Sequence, residues 1–110
     1  MTKAPETPGE TRFWELAEPL LVRPGVTRST MMGFPCLRVD GAFFACCDRR
    51  TGALVIKLDE DRADALVAAG RGEAFAPAGK RFREWVAIPY EKRRTWARHL
   101  ETALAFAAGP

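Results

Sequence analysis

The stretch Phe34-Pro35-Cys36-Leu37-Arg38-Val39-Asp40-Gly41-Ala42-Phe43-Phe44-Ala45-Cys46-Cys47 is the key to the fold. Asp40-Gly41 stands between two apolar segments. An Asp-Gly pair suits the two-residue hairpin turn, in which both central residues take positive φ. Taking it as that loop sets a register: Val39 opposite Ala42, Leu37 opposite Phe44, and Phe34 opposite Cys47. Side chains alternate along a strand, so one face then carries Leu37, Val39, Phe44 and Cys46, a natural core face. The other carries Phe34, Cys36, Phe43, Ala45 and Cys47, with Arg38 among them. Large exposed apolar patches are rare on monomers, so this second face is expected to be covered. If one layer of helices does not cover both faces, a homodimer follows, with Phe34, Cys36, Phe43 and Cys47 at its interface.

Upstream, Thr7-Pro8-Gly9-Glu10 has the form of a capping box, with a hydroxyl cap, proline at the first helical position and Glu three residues on. Phe13, Leu16, Ala17, Leu20 and Leu21 then fall on one helical face. Pro19 lacks the amide that would bond the carbonyl of Glu15, so the helix is expected to kink or loosen there. Residues 1–9, with Pro5, Pro8 and Gly9, read as a flexible lead-in to a single domain over 10–110. Residues 27–32 are a shorter candidate strand.

Downstream, a turn around Arg49-Arg50-Thr51-Gly52 returns the chain as the strand Leu54-Val55-Ile56-Lys57-Leu58. Asp59 caps a second helix, with Glu60, Asp61 and Asp64 near its positive end and Ala63, Leu66 and Val67 inward. Gly70 stops it. Residues 73–76 and 83–88 read as a second hairpin around Pro77-Ala78-Gly79. Pro89 opens a last helix with the apolar stripe Trp96, Leu100, Ala103, Leu104 and Ala107, and with Arg94, Arg98 and Glu101 outward. The expected architecture is α+β, a two-layer α-β(3)-α-β(2)-α order with a mainly antiparallel sheet packed on helices.

The chain has 110 residues, 47% hydrophobic and 28% charged, which is ordinary globular composition. Its longest strictly apolar runs, residues 42–47 and the equally long 103–108, are too short for a bilayer span or a signal h-region, so the expected compartment is the cytoplasm. Three cysteines, two of them adjacent, make a poor disulfide framework and read as buried thiols. Net charge is +3. Bases outnumber acids over residues 23–58 and 77–110, and acids outnumber bases over 59–76.

Catalytic signatures are not legible. The single histidine, His99, and single serine, Ser29, have no recognisable orienting partner. Cys36, Cys47 and His99 supply at most three zinc ligands without supporting spacing. Acids at 59–64 suit a helix start without any magnesium. Gly70-Arg71-Gly72 begins like a dinucleotide fingerprint, but position 75 is Phe and the stretch follows a helix. No cofactor, metal or small-molecule substrate is expected. The basic residues are the other candidates: Arg49 and Arg50 in a turn, Lys80, Arg81 and Arg83 about the second hairpin, and Lys92, Arg93, Arg94 and Arg98 near the last helix. Converging on one side, with Trp85 and Tyr90 between the later clusters, they would neutralise several phosphates and give salt-dependent affinity for nucleic acid. Scattered, they are a solvated surface.

Val26-Thr27-x-x-Thr30-Met31-Met32-Gly33-x-Pro35-x-Leu37 and Val39-Asp40-Gly41-x-Phe43-Phe44-Ala45 resemble the N-terminal domain of TfoX/Sxy proteins and the related MmcQ/YjbR group. The pieces Leu54-Val55-Ile56-Lys57-Leu58, Gly70-x-Gly72-Glu73-x-Phe75-x-Pro77 and Glu84-Trp85-Val86-x-Ile88-Pro89 come after them in the same order. Together they cover about residues 11–106. The resemblance implies the same α-β(3)-α-β(2)-α order and a regulatory or binding role through a protein or DNA partner, not an enzyme. TfoX-type proteins are associated with control of competence genes, and the YjbR group with DNA binding. TfoX-type proteins also carry a helical C-terminal domain, and this sequence ends at Pro110 without one. The resemblance brings no active-site residues with it.

Overall fold

The computed structural model describes residues 7–109. Thr7 caps the first helix as its sequence predicts: its Oγ1 accepts from the Glu10 amide at 3.1 Å, and α1 runs Pro8–Ala17. The helix therefore starts inside the segment read as a lead-in, whose residues 1–6 lie outside the described residues. At Pro19 the α-helix gives way to a 3₁₀ segment, Glu18–Val22, because proline offers no amide to the α-helical ladder.

Four strands come next, β1 Val26–Met31, β2 Phe34–Val39, β3 Ala42–Asp48 and β4 Ala53–Lys57: the expected three and, as β1, the shorter candidate of residues 27–32. Asp40 and Gly41 take φ of 49° and 84°, the positive pair that a tight hairpin needs, and Val39 faces Ala42. β1 comes from a second reversal of the same kind. Met32 and Gly33 take φ of 53° and 81°, and Met31 faces Phe34. Gly33 marks the break between the two strands, but methionine carries no turn signal, so composition does not announce a two-residue reversal.

The predicted register holds only near the turn. Arg38 faces Phe43 but Leu37 faces Ala45, so Phe44 is an extra residue, a β-bulge. Phe44 and Ala45 both pack on the helix side, and the alternation beyond them is inverted. Cys47 lands in the helix-facing core and Cys46 on the opposite face, the reverse of the expected assignment. A one-residue shift does this because the side-chain period is two.

After α2, Glu60–Ala68, come the short β5, Glu73–Ala74, and β6, Trp85–Ile88. The second hairpin is thus narrower than its sequence suggests, with a long connection over residues 75–84. Among the described residues the sheet has six antiparallel strands in the order β1-β2-β3-β4-β6-β5. A 3₁₀ segment, Tyr90–Thr95, leads into α3, Trp96–Ala108.

The helices lie on one face of the sheet. Phe13 and Ala17 of α1, Ala63 of α2, and Trp96, Leu100, Ala103 and Leu104 of α3 close over Leu37, Val39, Phe44, Leu54, Ile56, Val86 and Ile88. The Trp96 indole donates to the Ile88 carbonyl at 3.2 Å, pinning the start of α3 to the sheet. The other face holds a smaller cluster: Cys36, Cys46, Val55 and Phe75, ringed by the partly buried Met31, Phe34, Phe43, Trp85 and Ala87. The α+β class stands, in the order α-β(4)-α-β(2)-α. Among the described residues no helix is long and apolar enough to cross a membrane.

Candidate functional site

The basic side chains divide into those with carboxylate partners inside the domain and those without. Arg49 donates through Nε and Nη2 to both oxygens of Glu10, at 2.9 and 3.1 Å, and ties α1 to the turn after β3. Glu10 is buried, so this pairing is what allows a carboxylate there. Arg50 grips Asp48 in the same way, at 3.2 and 3.0 Å. Burial acts to raise the Asp48 carboxyl, but hydrogen bonds from Arg50 outweigh it and hold the group below its ordinary range. Arg81 meets Asp64 at 2.6 Å, and Arg83 lies 3.5 Å from Glu60. These four arginines serve the domain's own packing and turn structure.

The 3₁₀ segment before α3 is different. Lys92, Arg93 and Arg94 are all exposed there. Pro89, in extended conformation, turns the chain out of β6, and the hydroxyl of Thr95 donates to the Lys92 carbonyl at 2.8 Å. The buried Trp96 indole fixes the far end of the segment. Arg93 lies over the Tyr90 ring, 4.3 Å from its centroid, and donates to the Tyr90 carbonyl at 3.3 Å. Lys92 and Arg94 have no carboxylate partner among the described residues. Facing them is the first part of α1. Between the two lies a groove of about 590 Å³, lined by Pro8, Thr11, Arg12, Glu15, Tyr90, Arg93 and Arg94. Its one carboxylate, Glu15, sits 3.5 Å from Arg12.

Arg98, expected beside these residues, lines a separate groove of about 430 Å³ between α2 and α3, with Arg62, Arg71 and His99 above Leu58 and Leu66. Lys80 stands exposed in the 75–84 connection. The nine basic candidates thus fall into several places. Only Lys92, Arg93 and Arg94 form a compact set free of acidic partners among the described residues. Arg12 and Arg71 give no sign in the sequence. Neither lies in a charge run, and only the packing of α1 against residues 90–94, and of α2 against α3, brings them to these grooves.

The apolar candidates also separate. Phe34 and Phe43 lie together on the outer face, partly exposed, with guanidinium groups over their rings: Arg50 at 5.4 Å and Arg38 at 4.1 Å. Cys36 is sealed beneath them, and Cys47 is on the other side of the sheet. Of the four residues expected at a dimer face, Phe34, Cys36, Phe43 and Cys47, only the two rings reach the outer surface. Among the described residues no three His, Cys, Asp or Glu side chains gather to hold a metal.

His99 is half-buried, and its pKa is lowered from the ordinary 6.5 by burial first and then by Arg98 and Arg71. The folded chain thus binds this proton less tightly than the unfolded chain. The resulting penalty is absent above the unfolded value, grows as pH falls through it, and is complete below the folded value. His99→Gln is expected to flatten the loss of stability between about pH 7 and pH 5, relative to wild type. Urea unfolding at a series of pH values measures this. Parallel curves for the two proteins would contradict it.

No family model matches the chain, and no curated protein matches it significantly.

Proposed function

We propose that this chain is a non-enzymatic binding domain of the TfoX/Sxy N-terminal kind, acting on an acidic partner through residues 90–94 and the adjoining start of α1. The partner favoured is duplex DNA. The observation that carries this reading is Lys92 and Arg94, exposed and without carboxylates among the described residues, flanking Arg93 on its Tyr90 platform. Elsewhere arginines such as Arg49, Arg50 and Arg81 spend their charge inside the domain. The motif series over residues 11–106 supports the family reading, and the α+β class agrees with it. The edge strand β1 departs from the strand number that the resemblance implies.

Cations that meet phosphates release counterions, so affinity falls with salt in proportion to the contacts made. Wild-type protein is expected to bind duplex DNA weakly at low salt, without strong sequence preference. The triple variant Lys92→Gln/Arg93→Gln/Arg94→Gln should reduce the slope of log K against log salt by about 2–3, whereas Lys80→Gln should change it by less than about 1. Fluorescence anisotropy across a salt series provides the measurement. No binding at low salt, or equal slopes for wild type and triple variant, would remove DNA as the partner.

A further inference from the structure

Cys36 and Cys46 are direct partners across β2 and β3. Both side chains enter the same outer-face cluster, beside Val55 and Phe75. Opposed residues in an antiparallel pair have Cα atoms about 4.5 or 5.5 Å apart. Both spacings lie within the range that a disulfide spans, roughly 4.4–6.8 Å. The bulge produces this arrangement. In the regular register Cys46 would face the helices, and no two cysteines would be opposed with their side chains on a common face.

We propose that Cys36 and Cys46 are a modification site, forming a reversible cross-strand disulfide on reaction with a hydroperoxide. Cys36 is the attacking sulfur and Cys46 the resolving one. The Cys36 thiolate attacks one peroxide oxygen and the O–O bond breaks, giving a sulfenic acid and, for hydrogen peroxide, water after protonation. The Cys46 sulfur then attacks the sulfenic sulfur, the S–O bond breaks, and a second water leaves with the Cys46 proton. Two thiols are oxidised to one disulfide, and one peroxide is reduced to two waters.

The surroundings favour this order of roles. A hydrogen bond from Cys46 lowers the Cys36 thiol, which the Met31 backbone and the Arg38 charge lower further, against burial and against the bond that the Cys36 thiol itself donates to the Phe34 carbonyl at 3.3 Å. Cys46 is raised by the same hydrogen bond and by burial, so it holds its proton for the second step. Cys47 points to the helix side and is pushed up to about 12, by burial first and then by Glu10 and Asp48. It is an internal control. Both members of the pair are buried, so reaction goes through opening of the outer cluster, and a small peroxide is the suitable oxidant. The site lies on the opposite face of the sheet from the helices, and the proposal is independent of the DNA reading.

The full chain is treated with hydrogen peroxide, then alkylated in denaturant and analysed by intact mass and peptide mapping. Of the three thiols, only Cys47 is expected to remain alkylatable, with residues 36 and 46 joined within one chain and released by dithiothreitol. Cys47→Ser should retain the bridge, and Cys36→Ser or Cys46→Ser should each abolish it. Circular dichroism before treatment verifies that each variant is folded, and Cys47→Ser keeps the opposed pair intact if a single-cysteine variant of the pair is not. Three free thiols after treatment, a bridge that includes Cys47, a bridge between chains, or overoxidised Cys36 without a bridge would each overturn the proposal.

Discussion

Trp96→Ala is expected to lower the stability of the domain by about 3–5 kcal/mol. Trp96 is fully buried and heads the largest buried side chains of the core. Its ring meets Tyr90 edge-on at 6.1 Å, and its indole N–H satisfies the Ile88 carbonyl. Alanine removes the ring, leaves a cavity that helix and sheet only partly close, and withdraws a buried donor. It also loosens the junction between the 3₁₀ segment and α3, where Lys92, Arg93 and Arg94 are held. Trp96→Phe keeps most of the volume and loses the donor, and should cost about 1–3 kcal/mol. Urea unfolding followed by far-ultraviolet circular dichroism compares the variants. A cost for Trp96→Ala below about 1 kcal/mol would mean the indole is outside the core.

The second large effect runs against helix propensity. Gly9 is the second residue of α1, and glycine inside a helix ordinarily costs about 1 kcal/mol relative to alanine. Propensity alone therefore predicts a gain for Gly9→Ala. The structure predicts a loss of about 1–3 kcal/mol. A Cβ on Gly9 would lie 2.7 Å from the Gly52 Cα and 2.8 Å from its carbonyl carbon, with the carbonyl oxygen closer still. These are backbone atoms, so no rotamer change relieves the clash. The helix start or the turn before β4 must move, and the next residue, Glu10, is held to Arg49 of that same turn. Gly52 has φ of +77° and is itself poorly replaced. Thermal and urea unfolding of Gly9→Ala decide the sign, and a stabilised variant would show that α1 does not dock on the turn so closely.

Local chemistry was readable wherever a few adjacent residues set the outcome. Thr7 and Asp59 cap their helices, Asp40-Gly41 makes its reversal, Pro19 ends the α-helical ladder, and Gly70 takes φ of 71° beyond α2. The apolar stripe Trp96, Leu100, Ala103 and Leu104 faces the core because its period is that of a helix. At Met32-Gly33 the glycine marked a break but not a two-residue turn, because a left-handed methionine is held by the strands it joins and has no compositional mark. The bulge at Phe44 was equally silent. Ala-Phe-Phe-Ala-Cys-Cys is apolar on both faces, so nothing in its pattern penalises a one-residue shift.

The candidate site shows the same division. Lys92-Arg93-Arg94 is a run of charge visible in the chain. Which arginines are engaged internally depends on acids such as Glu10 and Asp64, distant in sequence from their partners Arg49 and Arg81.

The order of residues was enough to dictate α1 and α2 with their caps, the inward stripe of α3 and one hairpin, because these rest on interactions among neighbours and on the periods of helix and strand. It did not dictate the 3₁₀ segment that follows Pro89. Packing in three dimensions was needed to settle which cysteines face each other, which arginines lack acidic partners among the described residues, and why Gly9 must lack a side chain. Each of those depends on where a remote backbone passes, and nearness in space leaves no mark on a linear chain.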